Sequence, residues 1–192
     1  MDIYFKDQHQ YLPQHLDALL GKSVISYDKA KLRENTTSIE IESTIAWSAI
    51  NFDFFFGYQV FPGNIMSSLT QWVREGRPMM KVGDTIVQQV YIPPMPKLSQ
   101  KLIFGVRIRE IIDEVDRKGY SYETIIGHVE KGISIFSIER KASGKILFSI
   151  RTFSEPATFL TKLLGSVFSL PYQAYCTKRT LENVKHIIES RR

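Results

Sequence analysis

The 192-residue chain has a single cysteine, Cys176, so neither an intramolecular disulfide nor a multi-cysteine metal cluster can form within it. Such a chain suits reducing surroundings, and a cytoplasmic location is the expectation. The first thirty residues lack a basic start followed by an apolar stretch and a small-residue cleavage site, so no secretion signal is read there. Long apolar runs are also missing. The stretch from Ile50 to Phe61 is interrupted by Asn51, Asp53, Gly57 and Gln59, short of the roughly 20 residues a membrane helix needs. Nor is there a strong excess of one charge. The net value of +5 comes from basic residues scattered in pairs such as Arg107 with Arg109 and Lys178 with Arg179, so nucleic acid is not an expected partner.

Catalytic motifs are equally sparse. Gly83-Asp84 and Gly144-Lys145 are isolated turn signals rather than a phosphate-cradling loop. Ser149 and Ser154 lack the flanking glycines of a nucleophile elbow. His9, His15 and His186 lie in segments with no reason to converge, so no metal site and no cofactor are expected. Cys176 sits in a helical pattern beside Tyr172 and Tyr175, where packing accounts for it. What remains is an ordinary globular composition, 43% apolar and 23% charged, enough for one domain with a real core.

The pattern along the chain predicts an α+β fold. Residues 1–26 read as an N-terminal extension with a short helix after Pro13, carrying Leu16, Leu19 and Leu20 on one side and stopping at Gly21. The domain proper is expected over 27–192. A first strand is expected from Ser26 to Arg33. Thr37 with Glu40 forms a capping box that favours a helix over the next stretch, although Ile39 and Ile41 also alternate as in a strand. The run from Phe52 to Phe61 reads as buried and extended. Asn64 can cap a second helix carrying Ile65, Leu69, Trp72 and Val73 to Gly76. From Val82 the period becomes two, giving consecutive antiparallel strands. Their apolar faces include Ile86, Val90 and Ile92 with Gln88, and Leu102 to Ile108, with Glu110 on the same side unless a bulge intervenes. After Pro156 a helical pattern runs through Phe159, Leu160, Leu163, Leu164, Val167 and Phe168, is kinked or restarted at Pro171, and continues to Ile188.

Within the strand region, Tyr122-x-Thr124, Gly127-His128-x-Glu130-x-Gly132 and Phe153-Ser154-x-Pro156 form a pattern that resembles an uncharacterised domain-of-unknown-function family of bacteria and plants. The chain departs from it at Glu123, where members often have a small residue, and at Ile133 and Ser134, where they often have acidic ones. By its order of elements the family resembles the START and birch-pollen-allergen superfamily. That resemblance implies a helix-grip fold, a curved sheet wrapped on a long kinked C-terminal helix, with two helices after the first strand. It also implies a lipid, steroid or other apolar ligand between sheet and helix. Plant relatives linked with plastid envelopes add a protein- or membrane-surface adaptor as a further reading.

Strand alternation supplies the candidate site. Tyr120, Tyr122, Thr124, Ile126 and His128 fall on one face, where Gln88 and Glu110 of neighbouring strands would join them. A mostly apolar pocket with a few convergent polar groups is what a small-molecule site looks like. Gln88, Glu110, Tyr120, Tyr122, Thr124 and His128 are thus the ligand-binding candidates, and a small apolar or amphipathic molecule is the expected partner. The rival reading is a hydrolase or isomerase using His128 and Glu130 as acid and base, since histidine titrates near neutrality. A third role for the pair is structural, bonding the backbone of a turn beside Gly127 and Gly132. Non-enzymatic binding is the preferred expectation, with oligomeric state left open.

Overall fold

The computed structural model describes residues 2–157 and 170–190. Its strands are β1 Asp2–Tyr4, β2 Arg33–Ile41, β3 Met66–Thr70, β4 Thr85–Ile92, β5 Gln100–Asp113, β6 Arg117–Thr124, β7 Glu130–Arg140 and β8 Ile146–Pro156. Its helices are α1 Leu12–Leu20, α2 Asp53–Phe56, α3 Gln71–Arg74 and α4 Leu170–Ser190. The strands form one antiparallel sheet in the order β2-β8-β7-β6-β5-β4-β3. β1 pairs with β5 at Leu102, beyond the point where β6 has ended. The expected α+β class is therefore what the chain adopts, with the sheet meander from β4 to β8 following the period-two pattern.

Around β4 and β5 the sheet is buried on both faces. Its inner face carries the main core, in which Ile86, Val106, Ile108, Tyr120, Phe136 and Phe148 meet the 47–61 segment and α4. From α4, Leu181, Val184 and Ile188 enter this core. Tyr175, on the same helix, is exposed. Asn183 Nδ2 donates to the Val60 carbonyl at 2.9 Å, tying the helix to the aromatic segment. On the outer face, Leu12, Leu16 and Leu19 of α1 cover Val87, Ile103 and Ile125. Those positions recur at i, i+4 and i+7, one helical stripe. Leu20, expected with them, is exposed. Approach is close enough that a Cβ at Gly105 would lie 2.7 Å from the Leu19 side chain. The extension thus contributes a strand and a covering helix to the sheet.

Four element assignments differ from the sequence reading. The stretch with the capping-box pattern is β2, an edge strand in register with β8 from Arg33↔Ser154 to Ile41↔Ile146. There the alternation of Ile39 and Ile41 against the core outweighs the local capping preference. The expected strand at 26–33 is instead loop and a 3-10 turn, Lys29–Lys31, capped by the Asp28 carboxylate. The second helix after Asn64 is mostly β3, which pairs with β4, and only Gln71–Arg74 is helical. Hence two successive helices do not follow the first long strand. The buried run at 52–61 is compact rather than extended, with α2 in it and Tyr58 at φ 65°. The helical pattern from Phe159 to Phe168 lies outside the described residues, and Pro171 lies at the described start of α4.

If α1 belongs to the cooperative unit, truncating its central leucine opens a cavity against β4 and β5. Leu16→Ala should lower the unfolding free energy by about 2–5 kcal/mol with an unchanged denaturant slope, read by urea titration.

Candidate functional site

The residues of the sequence pattern converge on the hairpin joining β6 to β7 and on the adjacent end of β8. The Thr124 hydroxyl accepts from the Gly132 N–H at 3.0 Å, so the last residue of β6 holds the start of β7. Gly132 has φ 147°, and a Cβ there would stand 1.9 Å from the Phe153 carbonyl oxygen, so only glycine fits between Thr124 and β8. Gly127, at φ 101°, makes the turn itself. Ser154 and Pro156 are the β8 partners of Gly132 and Glu130. The Phe153 ring lies on the opposite face with Leu32 and Ile133, and Lys29 Nζ sits 4.1 Å from its centroid.

His128 and Glu130 are both at this corner, but they are not an acid–base pair. The Glu130 N–H lies 3.0 Å from His128 Nδ1, and the Glu130 carbonyl oxygen is 2.9 Å from the same atom. The imidazole is thereby engaged with turn backbone, and its ring packs edge-on against Phe104 with centroids 4.2 Å apart. The Glu130 carboxylate turns instead to α4, accepting a hydrogen bond from the Gln173 amide. Protein atoms packed around the imidazole desolvate it and push its pKa down to about 4, against the upward pull of the Glu130 backbone contact. A neutral His128 at pH 7 follows.

From this corner a polar seam runs inward along the inner face. The Gln88 amide, buried on β4, donates to the Tyr58 hydroxyl. Both face Tyr122, whose phenol is raised by burial against the opposing contacts of Ser134, Tyr58 and Gln88. Burial likewise raises the phenols of Tyr58 and Tyr120 well above their ordinary values, so all three stay protonated and able to donate. Tyr58 holds its place although its left-handed backbone costs a bulky residue about 1–2 kcal/mol. Tyr120 stacks on Phe136 with centroids 4.9 Å apart. Its hydroxyl, on a residue only 1% exposed, has no hydrogen-bond partner among the described residues. On the helix side, the Tyr172 hydroxyl donates to the Tyr91 carbonyl at 2.6 Å. Cys176 is half-buried, and burial raises its thiol.

Of the expected ligand-binding set, Gln88, Tyr120, Tyr122, Thr124 and His128 share this side of the sheet. Glu110 does not. The register shifts between Ile108 and Glu110, so Glu110 pairs with Ser121 and Ile111 takes the place on the core side. Glu110 lines an outer-face recess of about 620 Å³ with Tyr27, Arg109 and Glu123. Ile126 lies past the end of β6 and is exposed. A second recess, of about 420 Å³, is lined by Phe5, Ile92, Pro93, Lys97, Leu98, Ser99 and Gln100 at the sheet's edge. Neither recess is lined by α4, and the aromatic rings of the inner face pack between the sheet and the 47–61 segment.

Sequence reasoning missed Tyr58, Phe104 and Gln173. Gly57-Tyr58 inside the apolar run was a usable turn signal, whereas nothing local marks Gln173 as the partner of a residue 43 positions away. Among the described residues no group of three or more His, Cys, Asp or Glu side chains is placed to hold a metal, and no helix is long and apolar enough to cross a membrane.

An antiparallel sheet with a C-terminal helix against one face is a layout that distant solved structures share. A hypothetical protein from Helicobacter pylori superposes with a TM-score of 0.58 at 7% identity, over 87% of this chain and 97% of its own. Ginseng major latex-like protein 151 from Panax ginseng does so with a TM-score of 0.52 at 19% identity, over 81% and 97%. Both likenesses concern the fold alone. The family model described as Domain of unknown function (DUF1990) matches residues 56–183, well over half of the chain, which belongs to that family. A UPF0548 protein from Deinococcus radiodurans is 41% identical over 83 residues, a stretch that spans 42% of this chain and 42% of that protein.

The His128 geometry has a pH signature. With a folded pKa near 4 and an ordinary value of 6.5, the unfolded chain binds the extra proton between those limits, so stability is full above pH 6.5 and falls as pH drops toward 4. Replacement by asparagine, His128→Asn, keeps an acceptor near Nδ1 without the titration. It should flatten this histidine's share of the decline, measured by denaturant unfolding at pH 7, 5.5 and 4.5.

Proposed function

We propose that this protein has a helix-grip architecture and binds a small apolar or amphipathic molecule. The bound molecule lies between the inner face of the sheet and the N-terminal half of α4. The observation that carries this reading is the polar seam of Gln88, Tyr58 and Tyr122 with the unpartnered Tyr120 hydroxyl, set in an otherwise apolar interior. Buried polar groups need partners, and an unpaired hydroxyl costs about 1–3 kcal/mol, so a site that receives a ligand's polar end explains a cluster that packing alone does not require. Tyr172, Gln173 and Cys176 form the helix wall, and the His128–Glu130 turn closes the outer end. Because those two side chains serve different partners, the site reads as a receptor rather than a catalyst.

Native mass spectrometry on freshly purified protein, compared with the denatured mass, should show a discrete added mass that is lost on denaturation. A bare mass, both as purified and after incubation with a hydrophobic cell extract, would count against a binding role. Tyr120→Phe separates the hydroxyl's two effects. It should stabilise the empty protein by about 1 kcal/mol, by removing an unsatisfied group, while reducing retention of the added mass.

A second reading rests on the edge recess. Phe5, Met95 and Leu98 are exposed there beside exposed Lys6 and Lys97, a combination that favours docking on an anionic membrane surface. Vesicles containing phosphatidylserine should then retain the protein at low salt and release it as salt rises. Replacing Phe5 and Leu98 by serine should abolish retention, and binding insensitive to both changes would remove this reading.

A further inference from the structure

Basic side chains are distributed unevenly about the sheet. On β3 to β7, the inner-face positions from Tyr120 outward to the Glu130 end include Ser68, Gln88, Tyr122, Thr124 and Ser134 among apolar residues, and no lysine or arginine. Lys118 and Arg140 have the inner-face parity but lie beyond Tyr120, away from the Glu130 end, and pair with Asp113 and Asp116, whereas the other cations of these strands alternate to the outer face and are engaged there. Lys101 donates to the Phe5 and Ser99 carbonyls. Arg107 reaches the carbonyls of Leu19 and Leu20. Arg109 pairs with Glu123 and Lys131 with Glu155. Arg33, in register with Ser154 on the edge strand β2, is exposed. From the helix side come the uncharged Tyr172, Gln173 and Cys176, while Lys178 and Arg179 are exposed.

Among the described residues, Glu130 is then the formal charge at the mouth of the site, with Arg33 exposed two strands away, and the partner of its carboxylate is the neutral Gln173 amide. The phenols of Tyr58, Tyr120 and Tyr122 stay protonated and His128 stays neutral at pH 7. A carboxylate or phosphate entering here would lose its water, find no buried cation among the described residues and face Glu130, whereas a hydroxyl or carbonyl finds hydrogen-bonding partners in the phenols and the Gln88 amide.

We infer that the ligand is an amphipathic molecule whose polar end is uncharged, a hydroxyl or a carbonyl, and that the site rejects carboxylates and phosphates. This inference rests on the binding site proposed above and adds to it the charge of the occupant.

The test uses the full chain and one neutral probe, Nile red, displaced at pH 7.5 by dodecanol, methyl dodecanoate or dodecanoate, each below its aggregation limit. The alcohol and the ester should displace the dye at about one-tenth or less of the concentration the carboxylate needs, and Glu130→Gln should narrow that gap at least about threefold. Dodecanoate competing as well as the neutral compounds would overturn the inference while leaving the binding site in place. A gap that Glu130→Gln does not change would also overturn it, since the discrimination would not come from this corner. No dye bound and none displaced would remove the site and the inference with it. Circular dichroism of the variant keeps a folding defect from being read as altered selectivity.

Discussion

The contact on which this corner depends is the approach of Gly132 to the Phe153 carbonyl oxygen, closer than any Cβ allows. With β7 lying that near β8, the Thr124 hydroxyl can reach the Gly132 N–H and lock the end of β6 to the start of β7. The turn between them is then short, and the backbone of Glu130 falls beside the imidazole of His128. Each step constrains the next. The outcome is a hairpin that sets Phe104 under one ring and presents one carboxylate to the helix. The pattern of Thr124, His128, Glu130, Gly132 and Phe153 can therefore be understood as architecture first, with any chemistry resting on it.

Two-sided burial organises the rest. β4 carries Ile86 into the main core and Val87 into the cluster under α1, so both of its faces are covered. That requirement explains why the first helix cannot be treated as an ornament on a finished domain. It also explains the buried Gln88, which satisfies its amide with Tyr58 because water does not reach it.

The sheet meander was legible because its strands alternate over many residues, and the bulge beside Glu110 was legible as a conditional, since strict alternation would have placed a carboxylate in the core. β2 was not. Thr37 and Glu40 offer a genuine local capping signal, and only the pairing with β8, more than a hundred residues away, decides against it. The short β3 failed for a related reason, because Ile65, Leu69 and Trp72 fit a helical stripe as well as they fit strand, then turn, then helix. On the site, one face of β6 could be read directly from Tyr120, Tyr122 and Thr124. Tyr58, Phe104 and Gln173 could not, because they arrive from separate elements and owe their places to tertiary contact.

The two ends of the pairing scheme bear on how the chain is made. Asp2 pairs with Ile103, and Arg33 with Ser154. On the ribosome, residues 2–41 emerge long before their partners exist, and neither β1 nor β2 can join the sheet until most of the chain has been synthesised. The consecutive strands from β4 to β8 can pair as they appear, since each finds its neighbour in the segment just made. Folding during synthesis would then proceed from the middle outward, with the earliest residues docking last, and exposed strand-forming sequence such as Thr36 to Ile41 is what a chaperone would have to shield in the interval.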